Sequence, residues 1–275
     1  MHGVQGIERD VAWCLPYIVS NTVMKPFGKH STNIDHFLDW YNYHSRLGLA
    51  QVYAFTDSRW EDPRLRELTK TLNFELVQSD LPDPLEDFYK NQRDLIRKCL
   101  TLATKHEWVI FGDFDEYLSW QNESIHTIYD LLTTHSADNP ACVTFGKRFF
   151  TNQVTHMSHP GPFSRLERPI HPYCYGHDND MCPSYNGRRK YALKPVLVTD
   201  RNTLEIHDCG GLKTTNVRIA DARFNEWWGY ARSNYGEKNG DHNGLIFWPE
   251  GFRNTRELSI DTELIEFLKR IKLIP

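Results

Sequence analysis

The sequence predicts an α/β fold with a mostly parallel central sheet and helices on both of its faces. Strand-like and helix-like segments alternate through the first half of the chain, and polar residues follow several of the strands. The 275 residues, 40% of them hydrophobic, can also bury a large core. No internal repeat, low-complexity tract or linker divides the chain. We therefore expect one domain, 1–275, with a regular half at 11–150 and a loop-rich half at 151–275.

Runs of apolar and β-branched residues mark the predicted strands. These runs cover 11–19, 51–56, 74–77, 108–111 and 141–145, and a further strand-like run leads from 188 to 197. Helical periodicity and capping residues predict the helices. They cover 34–47, which ends before Gly48, then 63–72 after Asp62, 85–104, 125–134 after Ser124, 225–235 and 261–271.

The segment WVIFGDFDEYL, residues 108–118, joins a buried strand to three carboxylates. In an extended chain alternate side chains share a face, so Asp113 and Asp115 would point the same way, about 7 Å apart. Such hard oxygen ligands suit Mg²⁺ or Mn²⁺, ions that keep positions open for substrate phosphates. The pattern therefore indicates transfer from a nucleotide-activated donor. Asp-x-Asp is also common in turns and helix caps, and we expect Glu116 to support the strand end.

Polar residues also follow two other predicted strands. Ser20 and Asn21 come after the first strand, and Asp57 after the second. Because the carboxyl ends of parallel strands meet at one edge, where ligands bind in such sheets, we expect these residues to lie near Asp113. The net charge of −4 predicts no general affinity for nucleic acid.

Cysteine usage does not settle the redox compartment. Cys14, Cys99 and Cys142 lie in apolar segments, which predicts reduced, buried thiols. The later His/Cys-rich region fits no familiar zinc module, but a disulfide between Cys174 and Cys182 is possible in an oxidising compartment. The sequence Asn-Glu-Ser that begins at Asn122 would then be a glycosylation candidate.

Six motifs occur in a characteristic order. They are DWYNYHSRLGLAQVYAFTDS (39–58), NQRDLIRKC (91–99), WVIFGDFDEYL, TFGKRF (144–149), RRKYALKP (188–195) and IH (206–207). Together they resemble the family 92 glycosyltransferases, once catalogued as domain of unknown function 23, over roughly residues 11–238. That family usually shows His-Tyr before a Ser and a Lys. Here Trp228-Gly229 stand at that place, ahead of Ser233 and Lys238.

The resemblance implies a GT-A fold and an inverting enzyme. It would use Mn²⁺ (or Mg²⁺) to move a sugar from a UDP-sugar to an oligosaccharide or glycoprotein acceptor. The 11–150 half would bind the nucleotide sugar and the 151–275 half the acceptor. UDP-galactose is the expected donor, and UDP-xylose is the alternative because Trp227 and Trp228 could crowd a hydroxymethyl group.

Particular residues are expected to serve this reaction. The metal ligands would be Asp113, Asp115 and His207, and the donor contacts Ser20, Asn21, Asp57, Gln92, Asp113 and Lys190, with Arg189 near the diphosphate. His207 could equally be an ordinary histidine, the Arg-Arg-Lys run a solvated face, and Asp57 a turn cap. The base that activates the acceptor would be Glu226, at the start of an aromatic-flanked helix, with Asp178 and Asp180 as competitors.

Two other functions remain open on the sequence. A metal-dependent phosphoesterase or nuclease would also gather carboxylates and histidine at strand ends. A non-catalytic glycan-binding module could use the same fold. No segment is apolar enough to span a membrane. We expect a cytoplasmic protein, or alternatively the soluble lumenal portion of a Golgi enzyme without its anchor.

Overall fold

The structure is a computed structural model that describes residues 8–15, 33–56, 63–78, 88–113, 116–150, 170–172, 189–205, 207–227, 258–260 and 262–273. The strands are β1 (Glu8–Leu15), β2 (Gln51–Thr56), β3 (Phe74–Gln78), β4 (His106–Phe111), β5 (Glu116–Trp120), β6 (Cys142–Phe150), β7 (Ile170–Pro172), β8 (Lys190–Leu193), β9 (Thr214–Val217), β10 (Ala222–Trp227) and β11 (Leu258–Ile260). The helices are α1 (Asn33–Arg46), α2 (Pro63–Leu68), α3 (Phe88–Leu102), α4 (Ile128–Thr134) and α5 (Thr262–Arg270).

Nine of these strands form one sheet in the order β3-β2-β1-β4-β8-β6-β10-β5, with β9 also paired to β6. The pairs β2/β3, β1/β2, β1/β4, β6/β10 and β6/β9 are parallel. The pairs β4/β8, β6/β8 and β5/β10 are antiparallel. The predicted mostly parallel α/β fold is confirmed. Strands from both predicted halves share this sheet, and β7 pairs with β11 apart from it.

Helices cover both faces of the sheet. On β1, Val11, Trp13 and Leu15 belong to the core that contains residues of α1, α4 and α5. The alternate residues, Ala12 and Cys14, belong to a second core that contains residues of α3. This split follows from the two-residue period of a strand, and it explains why the strands read as continuous apolar runs.

Two disulfides correct the prediction of reduced thiols. Cys14 of β1 is bonded to Cys99 of α3, and Cys142 of β6 is bonded to Cys209 in the loop before β9. The partners are 85 and 67 residues apart in sequence, so only the tertiary fold brings them together. The prediction was therefore wrong for Cys14, Cys99 and Cys142. The possible Cys174–Cys182 bond lies outside the described residues.

The predicted helix at 225–235 is wrong where the chain is described, because β10 runs through Trp227. Ala222 and Phe224 enter the apolar core, while Arg223 donates to Glu263 of α5 and Asn225 donates to the Tyr117 carbonyl. Apolar and polar residues thus alternate over the first four residues of β10, as in a strand, and its polar face is buried too.

The ends of some other elements differ by a few residues from those predicted. The helix expected after Ser124 begins at Ile128, because Thr127 and Asp130 form a capping box there. The run expected to reach 197 ends as a strand at Leu193, and Pro195–Leu197 is a 3-10 turn. Among the described residues, no helix combines the length and apolar character needed to cross a membrane.

Candidate functional site

The candidate site lies at the edge of the sheet where β1, β2 and β4 end and the antiparallel strand β8 begins. Phe111 of β4 is aligned with Cys14 of β1 and with Tyr191 of β8, which brings these strand ends together. A pocket that is partly open to solvent lies at this edge. It is lined by Cys14, Phe55, Gln92, Leu95, Ile96, Phe111, Gly112 and Lys190. The strand ends thus form a largely apolar pocket that also contains an amide and an ammonium group.

Gly112 lets the chain leave β4 against a buried indole. The Trp13 Nε1 donates to the Gly112 carbonyl over 3.2 Å. A Cβ atom at position 112 would stand 2.7 Å from Cζ2 of Trp13 and 3.1 Å from Oε2 of Glu116. Glycine is needed at position 112 for this close approach. The approach in turn fixes the backbone position of the following residue, Asp113.

Four charged side chains converge just beyond Gly112. The Lys190 Nζ lies 2.9 Å from Oδ2 of Asp113 and 3.4 Å from Oε2 of Glu116. That same Oε2 accepts from the Asp113 backbone N–H over 2.9 Å. The other oxygen of Glu116 accepts from the Lys147 Nζ. Glu116 is fully buried and both ammonium groups are nearly so, while the Asp113 side chain is 35% exposed. Asp113 is therefore the most exposed member of this cluster, and Lys190 reaches the pocket from it.

The two lysines keep Asp113 ionised. Burial by itself would raise the pKa of Asp113, but the nearby Lys190 and Lys147 ammonium groups and the Lys190 hydrogen bond outweigh it. The pKa of this carboxyl is therefore lowered from its ordinary value. The cluster thus pairs two carboxyl groups with two amino groups.

His207 stands in the electrostatic field of the same cluster. Burial lowers its pKa to about 4, with the Lys190 and Lys147 charges acting in the same direction and the Arg189 carbonyl and Asp113 opposing them. Its Nδ1 lies 3.1 Å from the Arg189 carbonyl oxygen, which can only accept a hydrogen bond. Nδ1 therefore carries the proton, and Nε2 of the neutral ring presents a lone pair.

The structure brings together four of the residues expected from the sequence. Gln92 and Lys190 line the pocket, Asp113 contacts Lys190, and His207 interacts electrostatically with both Lys190 and Asp113. The backbone of Glu226 lies in β10, where it pairs with Glu116 of β5. The prediction that Glu226 begins a helix was therefore wrong. The side chain of Glu226 lies outside the described part of the chain. So do Ser20, Asn21, Asp57, Asp115, Asp178 and Asp180.

Two side chains play parts that the sequence did not assign. Lys147 was part of a recognised motif, but its approach to Glu116 was not anticipated. Lys147 lies beside Arg148 in the otherwise mostly apolar strand CVTFGKRFF, and this was the available signal, because a buried ammonium requires a partner. Arg189, expected near a diphosphate, instead donates to Thr144 and Asn216.

The donor atoms of the site are compatible with a divalent cation. Asp113 offers a carboxylate oxygen, and His207 offers a neutral imidazole nitrogen whose other ring nitrogen is held by a carbonyl, as is usual for metal-binding histidines. Within the described ranges no three metal-binding side chains converge. A complete set would need further ligands, and the Asp115 expected from the sequence lies outside those ranges.

The parallel sheet and its charged, pocket-forming edge are typical of proteins that bind nucleotides at the carboxyl ends of strands. The class is that of a glycosyltransferase, since the model of glycosyltransferase family 92 matches residues 23–226, more than half of the chain. The chain belongs to glycosyltransferase family 92.

Solved structures with a similar fold are distant in sequence. S. aureus TarS 1-349 is 12% identical, with a TM-score of 0.41 over 95% of this chain and 71% of that chain. The same protein in complex with UDP is 11% identical, with a TM-score of 0.39 over 79% of this chain and 60% of that chain. A putative nucleotide-diphospho-sugar transferase from Desulfovibrio desulfuricans G20 is 9% identical, with a TM-score of 0.39 over 97% and 98% of the two chains. No curated protein matches the sequence.

Proposed function

We propose that the protein transfers a sugar from a UDP-sugar to a hydroxyl group of an oligosaccharide or glycoprotein, with inversion at the anomeric carbon and with Mn²⁺ or Mg²⁺ assistance. The position of Lys190 is the observation that carries this proposal. Lys190 lines the apolar pocket, and its Nζ lies 2.9 Å from Oδ2 of Asp113. One side chain therefore contacts both the space that we assign to the nucleoside and the charged cluster.

The pocket suits the nucleoside part of the donor. Its walls are mostly apolar, and the buried Gln92 supplies an amide that can both donate and accept hydrogen bonds. Uracil is a flat ring that also carries donors and acceptors at its edge. We assign Gln92 to the nucleoside, together with Asp57, Ser20 and Asn21.

The paired lysines suit the leaving group. When the bond to the anomeric carbon breaks, negative charge develops on the departing diphosphate and positive charge on the sugar. Lys190 and Lys147 are buried cations fixed by Glu116, so their charges need little reorganisation to stabilise the diphosphate. A metal held by Asp113, Asp115 and His207 would neutralise further charge on the diphosphate.

The acceptor side requires a base and a sugar-binding surface. We assign the acceptor to the 151–275 half of the domain and the base to Glu226, with Asp178 and Asp180 as alternatives. The backbone of Glu226 is registered opposite Glu116, which places it one strand away from the charged cluster. Galactose is the proposed donor sugar, and xylose is the alternative for a pocket crowded by Trp227 and Trp228.

A donor-hydrolysis assay tests the proposal. The protein is incubated with Mn²⁺ and a panel of nucleotide sugars, with water as the only acceptor, and free nucleoside diphosphate is measured. A transferase should slowly release UDP from one UDP-sugar. A phosphoesterase or nuclease would not distinguish the sugars, and a glycan-binding module would release nothing. Either of these two outcomes would refute the proposed transfer reaction.

The donor-hydrolysis activity of an Asp113→Asn variant tests whether the reaction takes place at this candidate site. We expect its kcat/KM for donor hydrolysis to fall by at least about 10²-fold, because the charge that meets the metal and Lys190 is removed. Asp138→Asn, at an exposed carboxylate, is the matched control and should keep wild-type activity. Equal activity in the two variants would show that Asp113 is not part of the donor site.

A further inference from the structure

We infer that Asn122 is an acceptor site for an N-linked glycan and that the domain folds in an oxidising compartment. Asn122-Glu123-Ser124 is the only Asn-x-Ser/Thr sequence in the chain in which x is not proline. All three residues are exposed in the turn between β5 and α4. A glycan at this position would project into solvent without disturbing a packed surface.

The side chains of this sequence already adopt a conformation that fits the modification. Oδ1 of Asn122 accepts from the backbone N–H of Ser124 over 3.0 Å and from its Oγ hydroxyl over 2.8 Å. Both hydrogen bonds engage the amide oxygen, so the exposed carboxamide is oriented by its carbonyl. The hydroxyl that the motif requires is therefore in direct contact with the amide that would be modified.

The disulfides independently indicate the compartment in which such a modification occurs. All four of the paired cysteines are buried, at 2% exposure or less. Bonds so enclosed must form while the chain folds, and disulfides form and persist in oxidising compartments. Lipid-linked oligosaccharide donors meet exposed Asn-x-Ser/Thr sequences in the same lumen, where secreted chains become glycosylated.

The reaction requires a lipid-linked oligosaccharide diphosphate as co-substrate. Nδ2 of Asn122 would form a bond to the anomeric carbon of the first sugar while the bond from that carbon to the diphosphate oxygen breaks. The amide would lose one proton to the base of the transferring enzyme, and the lipid diphosphate would leave. No electrons are exchanged with an external oxidant or reductant.

The location of Asn122 separates this modification from the donor site. β5 begins at Glu116, inside the charged cluster, and ends at Trp120, about 13 Å away for a strand that rises 3.3 Å per residue. Asn122 follows beyond that end. A glycan there would leave the pocket edge open, so this inference does not depend on the proposed transfer reaction.

Expression of the full chain behind a cleavable leader in a eukaryotic secretory pathway tests the inference. Treatment with peptide N-glycosidase should remove one glycan and convert Asn122 to Asp, which peptide mass spectrometry detects. Non-reducing peptide maps should show the Cys14–Cys99 and Cys142–Cys209 pairs. The glycan is measured on both the secreted and the cell-retained protein, so the result does not depend on how efficiently a variant folds.

Two substitutions at one position provide matched controls. Ser124→Ala should abolish the glycan because it removes the hydroxyl, whereas Ser124→Thr should retain it because the motif and the hydroxyl persist. Wild-type chain recovered with an unmodified Asn122 would overturn the inference. A glycan that survives in Ser124→Ala would overturn it as well, since the modification would then lie elsewhere.

Discussion

At the scale of single residues, the buried carboxylate of Glu116 organises the charges of the site. It contacts both the Lys147 and the Lys190 ammonium groups and also accepts from the Asp113 backbone. A buried ammonium group without a partner is strongly unfavourable, so Glu116 allows two lysines to be buried in this cluster, and one of them, Lys190, also lines the apolar pocket. Asp113, by contrast, can meet a ligand because its side chain is partly exposed.

The stability of a Glu116→Gln variant measures this role. We expect its free energy of unfolding, from urea denaturation, to fall by about 3–5 kcal/mol because a buried ion pair loses one partner. Glu205→Gln is the control, since Glu205 pairs with Arg93 at the surface and is 49% exposed. That variant should lose less than about 1 kcal/mol. Equal losses would mean that the buried contacts contribute no more than a surface pair.

At the scale of elements, the end of β4 depends on how closely Gly112 approaches Trp13. We expect Gly112→Ala to destabilise the protein by about 1–3 kcal/mol, because its Cβ would overlap a buried indole that cannot move freely. It should also reduce donor hydrolysis, since the displaced backbone carries Asp113. Urea denaturation and the hydrolysis assay report the two effects.

A double-mutant cycle with Trp13→Phe provides the control for Gly112→Ala. The smaller ring removes the atom nearest to the added Cβ, so the two substitutions together should cost less than the sum of their separate effects. Simple additivity would indicate that the added methyl group does not meet Trp13.

The Cys14–Cys99 disulfide connects β1 to α3, the helix that carries Gln92 seven residues earlier. Replacing both cysteines by alanine should lower the free energy of unfolding by about 2–5 kcal/mol. We also expect the Kd for uridine monophosphate, measured by calorimetry, to rise severalfold, because Cys14 lines the pocket and α3 positions Gln92.

The second disulfide supplies the comparison. Cys142→Ala with Cys209→Ala should cost a similar free energy of unfolding but leave the affinity for uridine monophosphate unchanged, because neither residue lines the pocket. Equal loss of nucleotide affinity in both variants would point to general loosening of the fold and not to the position of α3.

At the scale of the whole molecule, hydrophobic periodicity predicted the fold class, since strands buried on both faces read as continuous apolar runs. It failed at β10, where Arg223 and Asn225 are buried by contacts with α5 and β5 that no local pattern reveals. The rule for strand ends predicted that Asp113 lies at the ligand-binding edge of the sheet, whereas Gln92 and Lys190 were expected from the family resemblance. The disulfide pairings and the identity of the partner of Lys147 could not be predicted, because each contact joins segments distant in sequence.

The stability of the whole fold should also depend on one buried imidazole, that of His44. Nδ1 of this ring lies 3.0 Å from the Trp40 carbonyl, and Nε2 accepts from the Leu118 N–H over 3.3 Å. Since a carbonyl only accepts, Nδ1 carries the proton, and the ring is neutral and satisfied at both nitrogens. Burial lowers the pKa of His44 from 6.5 to about 3.

This lowered pKa makes the protein less stable in acid. Between pH 6.5 and about 3 the unfolded chain binds a proton at His44 that the folded chain does not, so the stabilisation is complete above pH 6.5 and is lost as the pH falls. The slope approaches about 1.4 kcal/mol per pH unit. We therefore expect His44 to contribute a loss of about 2 kcal/mol in the free energy of unfolding between pH 6.5 and pH 4.5.

Urea denaturation of His44→Gln across the same pH range isolates this contribution. The variant should be less stable than the wild type at pH 7, because glutamine cannot reproduce both hydrogen bonds, but it should lose less stability on acidification. His207, whose pKa is also lowered, contributes to both proteins and cancels in the comparison. Parallel pH profiles for the two proteins would show that the pKa of His44 does not differ between the folded and unfolded states, contrary to the effect expected from its burial.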